Sequence, residues 1–160
     1  MPRITPNLWF DTEGEEAANY YVSIFPNSWI DKVTHYGEAS PREAGLVLTV
    51  EFSLGQPFTA INGVPDFAFD EAISFLIPCK DQDEVDYYWN RLLEGGQPSQ
   101  CGWLKDKYGL SWQAVPTVLE DMMSDPDRDK AEPAMKAMLG MVKLDIAELQ
   151  RAYDGSTELP

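Results

Sequence analysis

Residues 45–54, GLVLTVEFSL, alternate without a break: Leu46, Leu48, Val50, Phe52 and Leu54 fall on one face, Thr49, Glu51 and Ser53 on the other. A period of two marks a strand with one covered face. Gly55-Gln56 then suits a tight hairpin into PFTAING, where Pro57 stands at a strand start. Upstream, ITPNLWF at 4–10 reads as a strand, with Ile4, Leu8 and Phe10 on its covered face and Thr5, Asn7 and Trp9 opposite. The acidic DTEGEE opens a helix over roughly 13–25, in which Ala17, Tyr20, Tyr21 and Ile24 keep helical spacing until Pro26-Asn27 stops it. SWIDKVTHYG, around 28–36, supplies one more alternating strand.

The order then recurs. AISFLIPC at 72–79 is a strand, and DQDEVDYYWNRLLEGG is a helix with acids in its first turn and glycines at its end. EEAANYY (15–21) aligns with QDEVDYY (82–88) at an offset of 67, which lays strand 4–10 on 71–77. GQPFTAIN (55–62) aligns with GLSWQAVP (109–116) at an offset of 54. The second copy is therefore about thirteen residues shorter, room for one strand and a turn. This reading gives an α+β fold of two βαβββ modules, 1–66 and 67–118, the second shortened, with a tail at 119–160. The tail carries Met135, Met138, Leu139, Val142, Ile146, Leu149 and Tyr153 at three- and four-residue steps, which predicts one amphipathic helix docked on the sheet or on a second subunit. The densest stretch, CGWLKDKYGLSWQ at 101–113, reads as a hairpin: Trp103 ends its first strand, Asp106 and Gly109 frame the turn, and Leu110, Trp112 and Ala114 share a face of the second.

Length and composition narrow the class. A chain of 160 residues, 44% of them hydrophobic, buries a core as one domain. A net charge of −15, with only 12 Lys and Arg, excludes nucleic acid and anionic membrane surfaces as partners. No run approaches the length of a membrane span and the start lacks a signal peptide's apolar core, so a cytoplasmic setting is expected. Cys79 and Cys101 form no CxxC pair and are expected to be reduced and buried.

FDTEGEEAANYY, INGVPDFAFDEAISF, GWLKDKYGLSWQAVP and AMLGMVKLDIAELQRAY together resemble the PhnB-like branch of the vicinal oxygen chelate (glyoxalase/bleomycin-resistance) superfamily, a branch labelled 3-demethylubiquinone-9 3-methyltransferase. The resemblance spans about residues 3–154 and implies paired βαβββ modules curved around a cavity, in a homodimer. It also implies where metal-dependent relatives keep His or Glu ligands: on the first and last strands of each module, the last Glu standing four residues beyond an Asp-x-x-Gly turn. Those corners fall here on Thr5 or Asn7, Thr59, Ala72 or Ser74, and Gln113. None is a carboxylate, imidazole or thiolate, so no metal and no other cofactor is expected. The methyltransferase label is disfavoured too, because the only Gly-Gly pair, Gly95-Gly96, follows a helix and reads as its C-cap rather than as a cofactor-cradling turn.

Asn7, Trp9, Thr59, Ser74, Ser111 and Gln113 thus predict a neutral, hydrogen-bonding lining for a small, mostly apolar ligand. The alternative is an enzyme in which Glu51, partly desolvated on the Thr49–Ser53 stripe, works as general acid or base, or in which a divalent metal is held elsewhere. The sole histidine, His35, lacks an assignable acidic partner and reads as structural, and Lys105 and Lys107 read as surface.

Overall fold

The computed structural model describes residues 1–155. The chain divides into two compact units, Met1–Ala68 and a second beginning at Phe69. The first runs β1 (Asn7–Phe10), α1 (Gly14–Ile24), β2 (Ser28–His35), β3 (Val47–Leu54) and β4 (Pro57–Asn62). Its sheet has the order β1-β4-β3-β2, with β1 parallel to β4 and the other pairs antiparallel. A parallel β1–β4 pair needs a long connection, and α1 with the β2–β3 hairpin provides it.

The alternation predicted for β3 is what seats the helix. Val50 and Phe52 are fully buried with Leu8, Phe10, Phe58 and Ala60, and α1 adds Ala17, Ala18, Tyr21 and Ile24. The two alanines let the helix approach closely, and Tyr21, Phe52 and Phe58 stack in series at 6.3 and 5.5 Å between centroids. Each large side chain buried in this way contributes about 1.5–3 kcal/mol. Ile4, expected on the covered face, precedes the strand and is 83% exposed.

The second unit repeats the scheme: β5 (Ser74–Cys79), α2 (Gln82–Leu93), β6 (Gln97–Pro98), β7 (Trp103–Lys105) and β8 (Ser111–Pro116), in the order β5-β8-β7-β6 with β5 parallel to β8. The shortening does not delete a strand. It shrinks β6 to two residues and β7 to three, and Trp103 begins β7 rather than ending it. Val85, Tyr88, Trp89 and Leu92 of α2 are buried along with Ile77, Cys79, Leu104, Trp112 and Ala114. Ile73, within the 72–79 segment expected to be a strand, lies before β5 and is exposed. One register differs from the expected match. Asn7 pairs with Thr59, whereas Ser74 pairs with Ser111 and Gln113 stands opposite Leu76. A slide of two residues moves the pairing by one pleat and keeps every side chain on its face.

The tail is three helices, α3 (Thr117–Met123), α4 (Arg128–Leu139) and α5 (Ile146–Asp154), rather than one. α4 stops at Gly140, and the 140–145 segment is tied down from two sides. The Gln82 side chain donates to the Leu144 carbonyl (3.1 Å) and accepts from the Ile146 amide (2.8 Å). The amides of Cys101 and Gly102 donate to the carbonyls of Met141 and Val142, both at 2.8 Å. The break rotates the stripe: Leu119, Met122, Ala134, Met141, Leu144 and Leu149 form the buried cluster, while Leu139 and Val142 are exposed. None of the helices is long and apolar enough to cross a membrane.

Candidate functional site

The first sheet turns one face to its helix and leaves the other open. On the open face the register lines up Asn7, Thr59, Glu51 and Lys32 across four strands. Asn7, Glu51 and Thr59 line a cleft of about 410 Å³, together with Thr5, Asp31, Phe52, Pro57 and Phe58. Asp31 sits at a register irregularity of β2, between Ile30 and Lys32, and its carboxylate accepts from the Trp29 indole at 2.7 Å. The cleft is therefore acidic at one side rather than neutral throughout. Asp31 had no signal in the sequence, because the bulge that sets its place depends on the partner strand. Glu51 is exposed rather than partly desolvated as expected.

Trp9 is on the same face as Asn7 but does not line the cleft. Its indole N–H donates to the Val64 carbonyl at 2.8 Å, and its ring meets Phe67 edge-on at 5.2 Å. A Cβ on Gly63 would stand 1.9 Å from the ring, so only glycine lets the 63–67 loop close over the tryptophan.

On the second sheet the open face carries Ser74, Gln113, Trp103, Lys105 and Ser111. Gln113 donates through Nε2 to the Ser74 hydroxyl at 2.8 Å, so these two expected site residues do meet. Ser111 is 1% exposed, and its hydroxyl has no hydrogen-bond partner among the described residues. Leaving a buried hydroxyl unmatched costs about 1–3 kcal/mol. Ser111 lines a pocket of about 160 Å³ with Trp103, Leu104, Lys105, Glu71, Gln97, Pro98 and Ser99. Lys105, which pairs with Ser111 across the hairpin, holds the Glu71 carboxylate in an ion pair. That ammonium keeps the Glu71 carboxyl below its ordinary value, first by hydrogen bonding. The turn between Asp106 and Gly109 implies the Lys105–Ser111 pairing, so Lys105 was within reach of sequence reasoning.

The same turn hides a buried acid. Asp106 is 3% exposed, and its carboxylate accepts from the amides of Tyr108 (2.8 Å) and Leu110 (3.1 Å) and from the Trp112 indole (2.9 Å). Gly109 closes the turn at φ +88, a left-handed position that suits glycine. Elsewhere, His35 is exposed at the end of β2. Both cysteines are free; Cys79 is buried, while Cys101 is only partly covered. Burial pushes the Cys79 thiol up to about 11, with help from the Glu84 charge.

The corners at which metal-dependent relatives would keep ligands hold Asn7 and Thr59 in the first unit and Ser74 and Gln113 in the second. An amide and a hydroxyl per module do not fit a divalent ion, which takes carboxylates, imidazoles or thiolates. Among the described residues no group of three or more His, Cys, Asp or Glu gathers as such an ion needs.

Two four-stranded sheets of identical strand order, each backed by a helix, are the paired βαβββ modules of the glyoxalase/bleomycin-resistance superfamily. Within it the chain belongs to the PhnB-like family described as 3-demethylubiquinone-9 3-methyltransferase, whose profile matches residues 2–115. Among solved structures, a PhnB protein from Bacillus cereus given the same family description is 34% identical, with a TM-score of 0.64, covering 70% of this chain and 97% of that one. The protein PA1353 from Pseudomonas aeruginosa is 20% identical (TM-score 0.57; 70% and 95% covered), which shows the fold alone. FosX from Listeria monocytogenes, a fosfomycin resistance protein complexed with Mn(II) and sulfate, is 18% identical with a TM-score of 0.46, covering 69% and 88%. No curated protein matches the chain.

Proposed function

We propose that this chain is a metal-independent small-molecule-binding member of its family. The observation that carries the reading is the row Asn7–Thr59–Glu51, drawn from three adjacent strands into the wall of one cleft. An amide, a hydroxyl and a carboxylate on rigid strands fix the orientation of a ligand whose apolar body rests on Pro57. With Glu51 and Asp31 on the same wall, the ligand presents hydrogen-bond donors to them.

The family's methyltransferase description does not extend to this chain's chemistry in our reading. Gly95-Gly96 sits directly after α2, at the end of a helix rather than between a strand and a helix where it would cradle a nucleotide-like cofactor. Nor does Cys79 offer a nucleophile near neutral pH, since burial holds its thiol protonated.

Amide NMR of the full chain titrated with a small set of amine- and amide-bearing fragments tests the binding reading. The expected result is saturable shifts at residues 7, 51 and 59, with Thr59→Val, which keeps the shape and removes the hydroxyl, binding about three- to tenfold more weakly. Fragment shifts that leave these residues untouched would refute it. Elemental analysis after exhaustive dialysis tests the metal-independent part, and one retained equivalent of a divalent ion would overturn it.

A further inference from the structure

The pocket on the second sheet pairs two features that do not explain each other. The Ser111 hydroxyl is buried and unmatched among the described residues, which is uncommon for a side-chain oxygen in a folded interior. Directly across the hairpin, Lys105 extends into the same pocket, and its ammonium is occupied by a carboxylate from outside the sheet, that of Glu71. Glu71 lies in the turn before β5, and its side chain is 63% exposed. An ion pair at such a rim contributes little to folding and is easily exchanged. The fold thus puts a cation and a free hydroxyl side by side and seats a carboxylate on the cation.

We propose that this pocket binds a small carboxylate, and that Glu71 occupies the carboxylate position as an internal placeholder until the ligand displaces it. The ligand carboxylate takes over the Lys105 ammonium with one oxygen and accepts the Ser111 hydroxyl proton with the other, so both features are accounted for by one planar group. Trp103 forms an apolar wall for the remainder of the molecule. A volume of about 160 Å³ equals roughly five waters, the size of a two- to four-carbon acid. A single lysine favours a monoanion over a dianionic phosphate, which would leave charge unmatched beside Glu71. The inference rests on the reading of these open sheet faces as ligand-binding surfaces, but its signals fall on residues 103–105 and 111 rather than on 7, 51 and 59, so either can fail without the other.

The test is amide NMR of the full chain titrated with sodium propionate, against sodium chloride at matched ionic strength and inorganic phosphate as a second anion. The proposal expects saturable shifts at Trp103, Lys105 and Ser111 with propionate. Glu71→Gln, which vacates the ammonium, binds propionate up to about fivefold more tightly than the native chain. Lys105→Met weakens binding at least about tenfold, and Ser111→Ala weakens it about three- to tenfold. Ser111→Ala removes an unmatched hydroxyl, so its melting temperature equals or exceeds the native value and the loss of binding is not unfolding. Shifts that rise linearly, that chloride reproduces, or that are unchanged in Glu71→Gln would overturn the proposal. Tighter binding of phosphate at the same residues would overturn the assignment to carboxylates.

Discussion

Asp106 shows how much one side chain can organise. Its two oxygens collect three donors within six residues, and one of those donors is the indole of the buried Trp112. Asp106→Ala strands all three, and we expect a loss of roughly 2–4 kcal/mol by chemical denaturation. Cys79 makes a second prediction at this scale. With its thiol at about 11, only roughly one molecule in a thousand carries the thiolate at pH 8. A disulfide reagent titrated at that pH therefore labels the partly covered Cys101 first, and Cys79 reacts only on denaturation. Equal rates for the two thiols in the native chain would contradict this. The setting of Asp106 is not evident from its type, since an Asp in a turn is ordinarily solvated; Cys79 is buried as expected, and Cys101 is the cysteine that departs from expectation by being only partly covered.

At the scale of elements, the start of α1 depends on a residue 48 positions downstream. Glu13 makes no side-chain cap, and instead the Asn62 Oδ1 accepts from the Gly14 amide at 2.8 Å while its Nδ2 donates to the Val47 carbonyl at 3.1 Å. Asn62→Ala removes both bonds inside the core and should cost about 1–3 kcal/mol, read as a lower denaturation midpoint. Gly63→Ala, one residue on, drives a methyl into the Trp9 ring; loss of the native tryptophan fluorescence signature is the expected readout. Such long-range caps explain what was legible and what was not. The alternation of Leu46 to Leu54 and the acids opening both helices carry their own signal, so strands and helices stand where the pattern puts them. Ile4 and Ile73 continue an apolar alternation beyond the last paired residue, and the pattern cannot see where pairing stops. The tail misled for a related reason. Its three- and four-residue spacing runs through Gly140 unbroken, while the break is imposed by Gln82 from another helix.

Across the whole molecule, the repeat was readable because both copies kept their strand order, and the site was readable only in part. Asn7, Thr59 and Glu51 reached a common cleft because strand alternation alone decides the face. The turn implies that Lys105 faces Ser111, but its ion pair with Glu71, 34 residues upstream, carries no signal in the sequence. The net charge of −15 gives a prediction at this scale. Like charges repel most in the compact state, so raising salt from about 0.01 M to about 0.15 M, which shortens the screening length from about 30 to about 8 Å, should raise the thermal midpoint. A midpoint that falls with salt would mean that the surface ion pairs outweigh the repulsion.

The contraction of β6 bears on how the protein behaves when crowded. An outer strand ordinarily presents a ladder of unsatisfied amides and carbonyls that another polypeptide can extend. Gln97–Pro98 is too brief for that, and the proline ring has no N–H to give. In the first unit the outer β2 keeps eight residues, and two irregularities in its pairing with β3 are all that interrupt it. Of these two outer strands, β2 is the one to which concentrated solutions of this protein can add a further strand, and the contracted β6 stays out of it.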